Sequence, residues 1–201
     1  MTEARNEAAT EALPVHDVPF AFPVVAEHER FQGAKWSVWS EEVDFDGDVA
    51  VRDVLRHPGA VAVAALDDEE RLLMIRQYRH PVRTLLWEIP AGLLDYEGEE
   101  PADCARRELL EEAGVTAEVL EPLLTLALSP GGTSERIRIF RAAGLHVDAD
   151  SRPHTGEAEE RDLPQAWVPL DEAVARCLDG SIANATAVAA ILALHALRAD
   201  R

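Results

Sequence analysis

The chain has 201 residues, enough for one well-buried core. Its 38 acidic against 19 basic residues give a formal charge of -19, a field that repels nucleic-acid phosphates and anionic membranes, so neither is an expected partner. An anionic ligand would need something local to reverse that sign, and a bound divalent metal is the expected means.

Residues 1–16 lack a basic start followed by an apolar run and read as a disordered tail, not a signal peptide. Two distant cysteines, Cys104 and Cys177, offer neither a disulfide framework nor metal-ligand spacing; both are expected to be buried, and the compartment to be cytoplasmic. From 31 to 57, within an N-terminal strand region expected over 17–57, alternating apolar and polar residues around Asp46-Gly47 predict a hairpin of two or three strands. The "DFDGD" at its centre lacks the spacing and closing glutamate of a calcium loop and is expected to be a plain turn.

From 59 to 78, two apolar runs around a charged turn predict a second hairpin, central to a sheet. "LLWEIPAGLL" follows as a short extended stretch in which Pro90 blocks a helix. Residues 101–113 switch to helical spacing, with Ala102, Ala105, Leu109 and Ala113 on one face, Pro101 at the first position and Gly114 just past the end. Strands are predicted over 117–128 and 135–142, separated by the turn-rich "SPGGTSE".

A polar stretch at 148–162 is long enough to be a functional or disordered loop. A strand near "AWVPL" and two helices close the chain. The second, Ala/Leu-rich from about 183 to 198, is too short and broken to span a bilayer. Trp87 and Trp167 are expected in the core. The seven histidines form no ligand pair, and His80 and His195 read as structural or surface residues. No serine sits in a nucleophile elbow, so covalent catalysis is not supported.

The helix at 101–113 is the feature that packing does not explain. Glu108 and Glu112 lie at i and i+4, with Glu111 beside them, so three carboxylates share the face opposite the alanines and leucine. Each like-charge pair at this spacing costs about 0.2–0.5 kcal/mol. Hard oxygen ligands are what Mg²⁺ or Mn²⁺ requires, and those ions also bind phosphate oxygens. A Gly-containing turn precedes the cluster and could bring backbone carbonyls close, and Arg107 adjoins it, able to hold a glutamate in a forked pair.

Arg107-Glu108-Leu109-Leu110-Glu111-Glu112-Ala113-Gly114-Val115 matches every fixed position of the second half of the Nudix box, R-E-U-x-E-E-x-G-U. The first half departs from it, with six residues in place of five between Gly92 and Glu99, which leaves Glu99 open as a ligand or a brace. "WEIPAGLL", "QYRH", "SPGGTSE" and the terminal "WVPLDEAVARCLDGSIANATAVAAILALHAL" extend the resemblance, over most of 28–198, to the ADP-ribose pyrophosphatase branch of the Nudix hydrolases.

That resemblance implies an α/β/α sandwich with a mixed sheet over 58–201, preceded by N-terminal strands over 17–57 that form a small antiparallel sheet and pair in a homodimer. It implies Mg²⁺, with Mn²⁺ as substitute, held by Glu108, Glu112, Glu111 and the carbonyl of Ala91. Glu160 is the first choice and Glu159 the second for the base acting on water. Arg79 is expected at the phosphates, Glu135 near the terminal ribose, Gly131 and Gly132 in a closely approaching loop, and Trp36 on the adenine. The implied activity is hydrolysis of ADP-ribose to AMP and ribose 5-phosphate. Another nucleoside diphosphate sugar or a dinucleotide stays open as substrate, and so does a sensor that binds ADP-ribose without cleaving it.

Overall fold

A computed structural model of the chain describes residues 15–147 and 163–199. Three strands, β1 (Val24–Gln32), β2 (Ser37–Phe45) and β3 (Asp48–Arg56), form an antiparallel meander by themselves. The turn between β2 and β3 puts Asp46 and Gly47 at φ of 57° and 102°, the left-handed pair that a tight hairpin needs, and Asp44 Oδ1 accepts from the Gly47 amide at 2.6 Å. "DFDGD" is therefore a plain turn. Val24, Val25, Phe31, Trp36, Val49 and Val51 are exposed on or beside this sheet.

The core is built around β4 (Ala60–Ala65), whose six residues are all buried. Ala60, Ala62 and Ala64 face one cluster, while Val61, Val63 and Ala65 face another. This period-2 division is what places one strand between two layers of helix. β4 pairs antiparallel with β7 (Ala91–Leu93) and parallel with β9 (Arg136–Val147), which pairs antiparallel with β8 (Val115–Ala127), giving a mixed sheet in the order β7-β4-β9-β8. A second, antiparallel sheet runs β10-β5-β6, from β10 (Gln165–Pro169), β5 (Arg71–Arg79) and β6 (Thr84–Glu88).

Helix α1 (Pro101–Ala113) covers the valine side of β4 through Cys104, Ala105, Leu109 and Ala113. On the alanine side lie α2 (Leu170–Leu178) and α3 (Ala185–Ala199), through Leu170, Ala173, Ala187, Ala190, Ile191 and Leu194. The result is the expected α/β/α sandwich with a mixed sheet and a small N-terminal antiparallel sheet. Small side chains on β4 and α3 let helix and sheet approach closely. No described helix is long and apolar enough to cross a membrane.

The expected pairing of the strands at 59–78 fails. The runs at 59–78 are not one hairpin: β4 and β5 belong to different sheets, joined only by an isolated bridge between Leu66 and Leu72. Each strand satisfies its backbone elsewhere, β4 on β7 and β9, β5 on β6 and β10. Trp87 and Trp167 are half-buried and flank the two clusters, and of the cysteines Cys104 is buried while Cys177 is only partly so.

Candidate active site

Helix α1 starts and stops as its sequence dictates, with Pro101 in its first turn and Gly114 at φ 65° donating its amide to the Leu110 carbonyl at 2.8 Å. The Gln165 amide of β10 reaches the Glu112 and Ala113 carbonyls at 3.3 and 3.2 Å, satisfying acceptors the helix leaves open. These anchors hold the acidic face of α1 against a cleft of about 1000 Å³.

Glu112 is 9 % exposed, and its Oε2 accepts the Ala91 amide at 2.8 Å, tying the last turn of the helix to β7. Glu108 lies against Gly92, at a place no residue with a Cβ could share. Arg107 spends its five donors on five contacts. Nε and Nη2 fork onto Glu99 at 2.9 and 3.0 Å, Nη1 reaches Glu108 at 2.6 Å and Glu111 at 3.1 Å, and Nη2 also meets the Cys104 sulfur at 3.4 Å. Its guanidinium stacks over Tyr96, 4.6 Å from the ring centroid. Hydrogen bonding from Arg107 holds the Glu99 carboxyl below its usual range, and the same contact raises Arg107 further. Glu99 is thus a brace for Arg107, despite the longer turn before it. Burial, with Glu99 close by, pushes the Cys104 thiol up to about 12.

Between β5 and β6, Arg79 forks onto Glu88, Nε to Oε1 at 2.9 Å and Nη2 to Oε2 at 2.6 Å, and Glu88 is 3 % exposed. Glu135 lines the cleft beside His57, with 4.0 Å between Nε2 and Oε1. The loop carrying Glu135 is pinned to the end of β3: the Leu55 amide donates to Gly132 O, the Ser134 amide to Leu55 O, and the His57 amide to Ser134 Oγ. Lys35 and Asp95, paired at 2.6 Å, connect the β1–β2 turn to the cleft rim.

Of the residues singled out from sequence, Arg79, Ala91, Arg107, Glu108, Glu111, Glu112 and Glu135 line this one cleft. Trp36 does not: it is 41 % exposed and its ring sits 6.0 Å from that of Phe31 on the N-terminal sheet. Gly131 and Gly132 do not line it either, and a Cβ on either would meet nothing within 4 Å, so no close approach requires them to be glycine here. Glu157, Glu159 and Glu160 lie outside the described residues. Gln77, Glu88, Asn184 and Thr186 line the cleft without having been anticipated. Glu88 left a trace in the sequence, a lone carboxylate inside the apolar "LLWEIP", which marks a buried charge needing a partner.

Six carboxylates (Glu88, Asp95, Glu108, Glu111, Glu112, Glu135) face the cleft against three cations (Lys35, Arg79, Arg107). The donors along α1 are all hard oxygens, the chemistry that suits Mg²⁺ or Mn²⁺ and not the softer metals. Among the described residues no three acidic, His or Cys side chains converge closely enough to hold an ion, since Arg107 draws Glu108 and Glu111 while Glu112 turns to Ala91.

Residues 55–189 match the family model described as NUDIX domain. An ADP-ribose pyrophosphatase of Mycobacterium tuberculosis is 38 % identical over 177 residues, covering 88 % of this chain and 84 % of that protein. One of Bacillus subtilis is 36 % identical over 152 residues, covering 75 % and 80 %. Among solved structures, an ADP compounds hydrolase superposes with a TM-score of 0.75 at 23 % identity, covering 90 % of this chain and 96 % of its own, a likeness of fold. A box complete in its second half, seated on a helix against a cleft in this fold, and relatives matched over most of their length agree: the chain belongs to the NUDIX domain family.

Proposed function

We propose that this protein hydrolyses the diphosphate of ADP-ribose with Mg²⁺, or Mn²⁺ in its place, releasing AMP and ribose 5-phosphate. The observation that carries this reading is the charge of the cleft. Carboxylates outnumber cations two to one there, so a diphosphate is repelled unless a divalent cation accompanies it. Glu108, Glu111, Glu112 and the Ala91 carbonyl are the groups that would hold such an ion. When bound, it supplies positive charge against the diphosphate and Lewis acidity at phosphorus.

The chain's own residues then have distinct tasks. Arg107 braces Glu108 and Glu111 from one side and is itself braced by Glu99. Arg79, oriented by its fork on Glu88, supplies its positive charge to a phosphate. Glu135 accepts hydrogen bonds from sugar hydroxyls. Glu160, with Glu159 as second choice, takes a proton from the attacking water. The water oxygen bonds to one phosphorus, the bridging P–O bond breaks, and its electron pair leaves with the other phosphate.

The same reading divides the chain into an N-terminal strand region, 17–57, and a hydrolase domain, 58–201, in a cytoplasmic homodimer. The apolar residues exposed on or beside β1–β3 support pairing through that sheet. Trp36, and Gly131 and Gly132 on the loop pinned to β3, would then serve substrate from positions that one copy's cleft does not include. Chromatographic separation of the products tests the reaction: equal amounts of AMP and ribose 5-phosphate, abolished by EDTA, are expected, and ADP-ribose recovered intact would refute it.

A further inference from the structure

Gln77 is 3 % exposed and lines the cleft, yet its Oε1 has no hydrogen-bond partner among the described residues. Buried polar atoms are nearly always paired, and one that is not calls for a reason. The neighbouring unpaired buried atom, Arg76 Nε, has one: Arg76 points to the other face of β5, where its guanidinium lies over Trp87, 5.5 Å from the ring centroid. Gln77 Oε1 has no comparable contact among the described residues.

What surrounds Gln77 defines what it would bind. On the β5–β6 ladder Gln77 pairs with Leu86 and Arg79 with Thr84, and Gln77, Arg79, Leu86 and Glu88 all line the cleft. Arg79 and Glu88 satisfy each other in a fork. At the start of α3, Thr186 and Asn184 also line the cleft, the latter capping the helix by accepting the Ala187 amide at 2.9 Å. A phosphate could accept from the carboxamide nitrogen but offers no hydrogen to the buried oxygen that lacks a partner. A nucleobase favours an aromatic face, and among the described residues the lining rings are Tyr96, already stacked with Arg107, and His57, engaged beside Glu135 and Gly59. A sugar hydroxyl both donates and accepts, so it satisfies the carboxamide in either amide orientation.

Two residues along a strand span roughly 7 Å. A phosphate at Arg79 would therefore leave its attached pentose within reach of Gln77. We propose that Gln77 is a specificity-determining residue, its carboxamide hydrogen-bonding a ribose hydroxyl of a substrate whose diphosphate meets Arg79. The assignment rests on the nucleoside diphosphate sugar reading above and adds to it the group that selects for a hydroxylated sugar.

The test is a cycle between Gln77→Met, which keeps the volume and removes the hydrogen bonds, and ADP-ribose analogues each lacking one ribose hydroxyl. Calorimetric affinities are measured with Mg²⁺ present on the α,β-methylene forms of these ligands, in which CH₂ replaces the bridging oxygen so that no turnover occurs. Gln77→Met is expected to weaken ADP-ribose about tenfold, the size of one neutral hydrogen bond, and the penalty to vanish for one deoxy analogue. Its melting temperature should equal or exceed that of wild type, because an unpaired buried acceptor is gone. An equal penalty for every analogue, or none for any, overturns the assignment, as does a lowered melting temperature with undiminished affinity. Wild type that neither binds nor hydrolyses ADP-ribose removes the substrate reading itself. Wild type that hydrolyses it, with a uniform Gln77→Met penalty, removes only the role of Gln77.

Discussion

Gly92 and Glu108 share one volume: a Cβ on Gly92 would fall inside the Glu108 carboxyl group. The glycine of β7 is therefore part of the carboxylate wall, since its missing side chain is where Glu108 sits. Gly92→Ala should displace Glu108 without unfolding the chain, because the clash is with the tip of a flexible side chain. We expect turnover of ADP-ribose to fall about 100-fold, the scale of a misplacement near 1 Å in a catalytic group. The melting temperature should drop by no more than about 4 °C. A thermal melt beside a rate measurement checks both, and unchanged turnover would show that Glu108 is not needed where it lies.

Arg107 ties together Glu99, Glu108, Glu111 and Cys104, and lysine cannot reproduce its fork on Glu99. Arg107→Lys should lower stability at pH 7 by about 2 kcal/mol in urea titrations, the worth of hydrogen bonds to charged groups. The pH dependence has a definite sign. Arg107 holds Glu99 below its ordinary value of 4.5, so the stabilisation is complete above that pH and is lost as pH falls through the lower, folded value. The gap between wild type and Arg107→Lys should therefore close below about pH 4.5. A gap that widens on acidification would contradict the pairing.

Glu112→Gln separates the acidic cost of α1 from its use. Glutamine can still accept the Ala91 amide, and one of three neighbouring carboxylates is removed. Without metal, the variant should melt at or above the temperature of wild type. Added Mg²⁺ should raise the melting temperature of wild type, by linkage to binding, and raise that of Glu112→Gln less. Equal shifts in scanning calorimetry would remove Glu112 from the ion's ligands.

Cys104 should be inert in the folded protein, because it is buried and its thiol is pushed up to about 12. Iodoacetamide at pH 8 should leave it unmodified until the chain is unfolded, as peptide mass spectrometry can show. Rapid native alkylation would mean that α1 opens away from β7.

How much of this was legible in the sequence depended on the range of the interactions involved. Helix α1 could be bounded because Pro101 and Gly114 punctuate it locally and its apolar spacing has one period. The β4–β5 pair was misread because alternation shows that a strand has two faces but not which strand it pairs with. β4 finds its parallel partner in β9, 77 positions away at Ala60 and Ile137. Arg107 and the three α1 glutamates were visible from spacing alone, whereas the partnership of Arg79 with Glu88 needed the β5–β6 register. Gln77 became conspicuous only once burial left its oxygen without a partner, a property no local pattern carries. Trp36 was placed by analogy with relatives, and in one copy of the chain it lies on the N-terminal sheet outside the cleft.

The base proposed on the 148–162 stretch has its own test. Glu160→Gln should reduce turnover by roughly 100-fold or more, the scale of lost general-base catalysis, while leaving the Mg²⁺-induced melting shift intact. Full activity in Glu160→Gln beside a dead Glu112→Gln would remove Glu160 from the reaction and turn attention to Glu159.

The central claim meets its most direct test in a turnover comparison at fixed Mg²⁺ of ADP-ribose, ADP-glucose, GDP-mannose, NADH and diadenosine polyphosphates. The account predicts that ADP-ribose is cleaved with the highest kcat/KM. Faster cleavage of any other member would contradict the named substrate, and tight binding of ADP-ribose with no product would contradict catalysis itself.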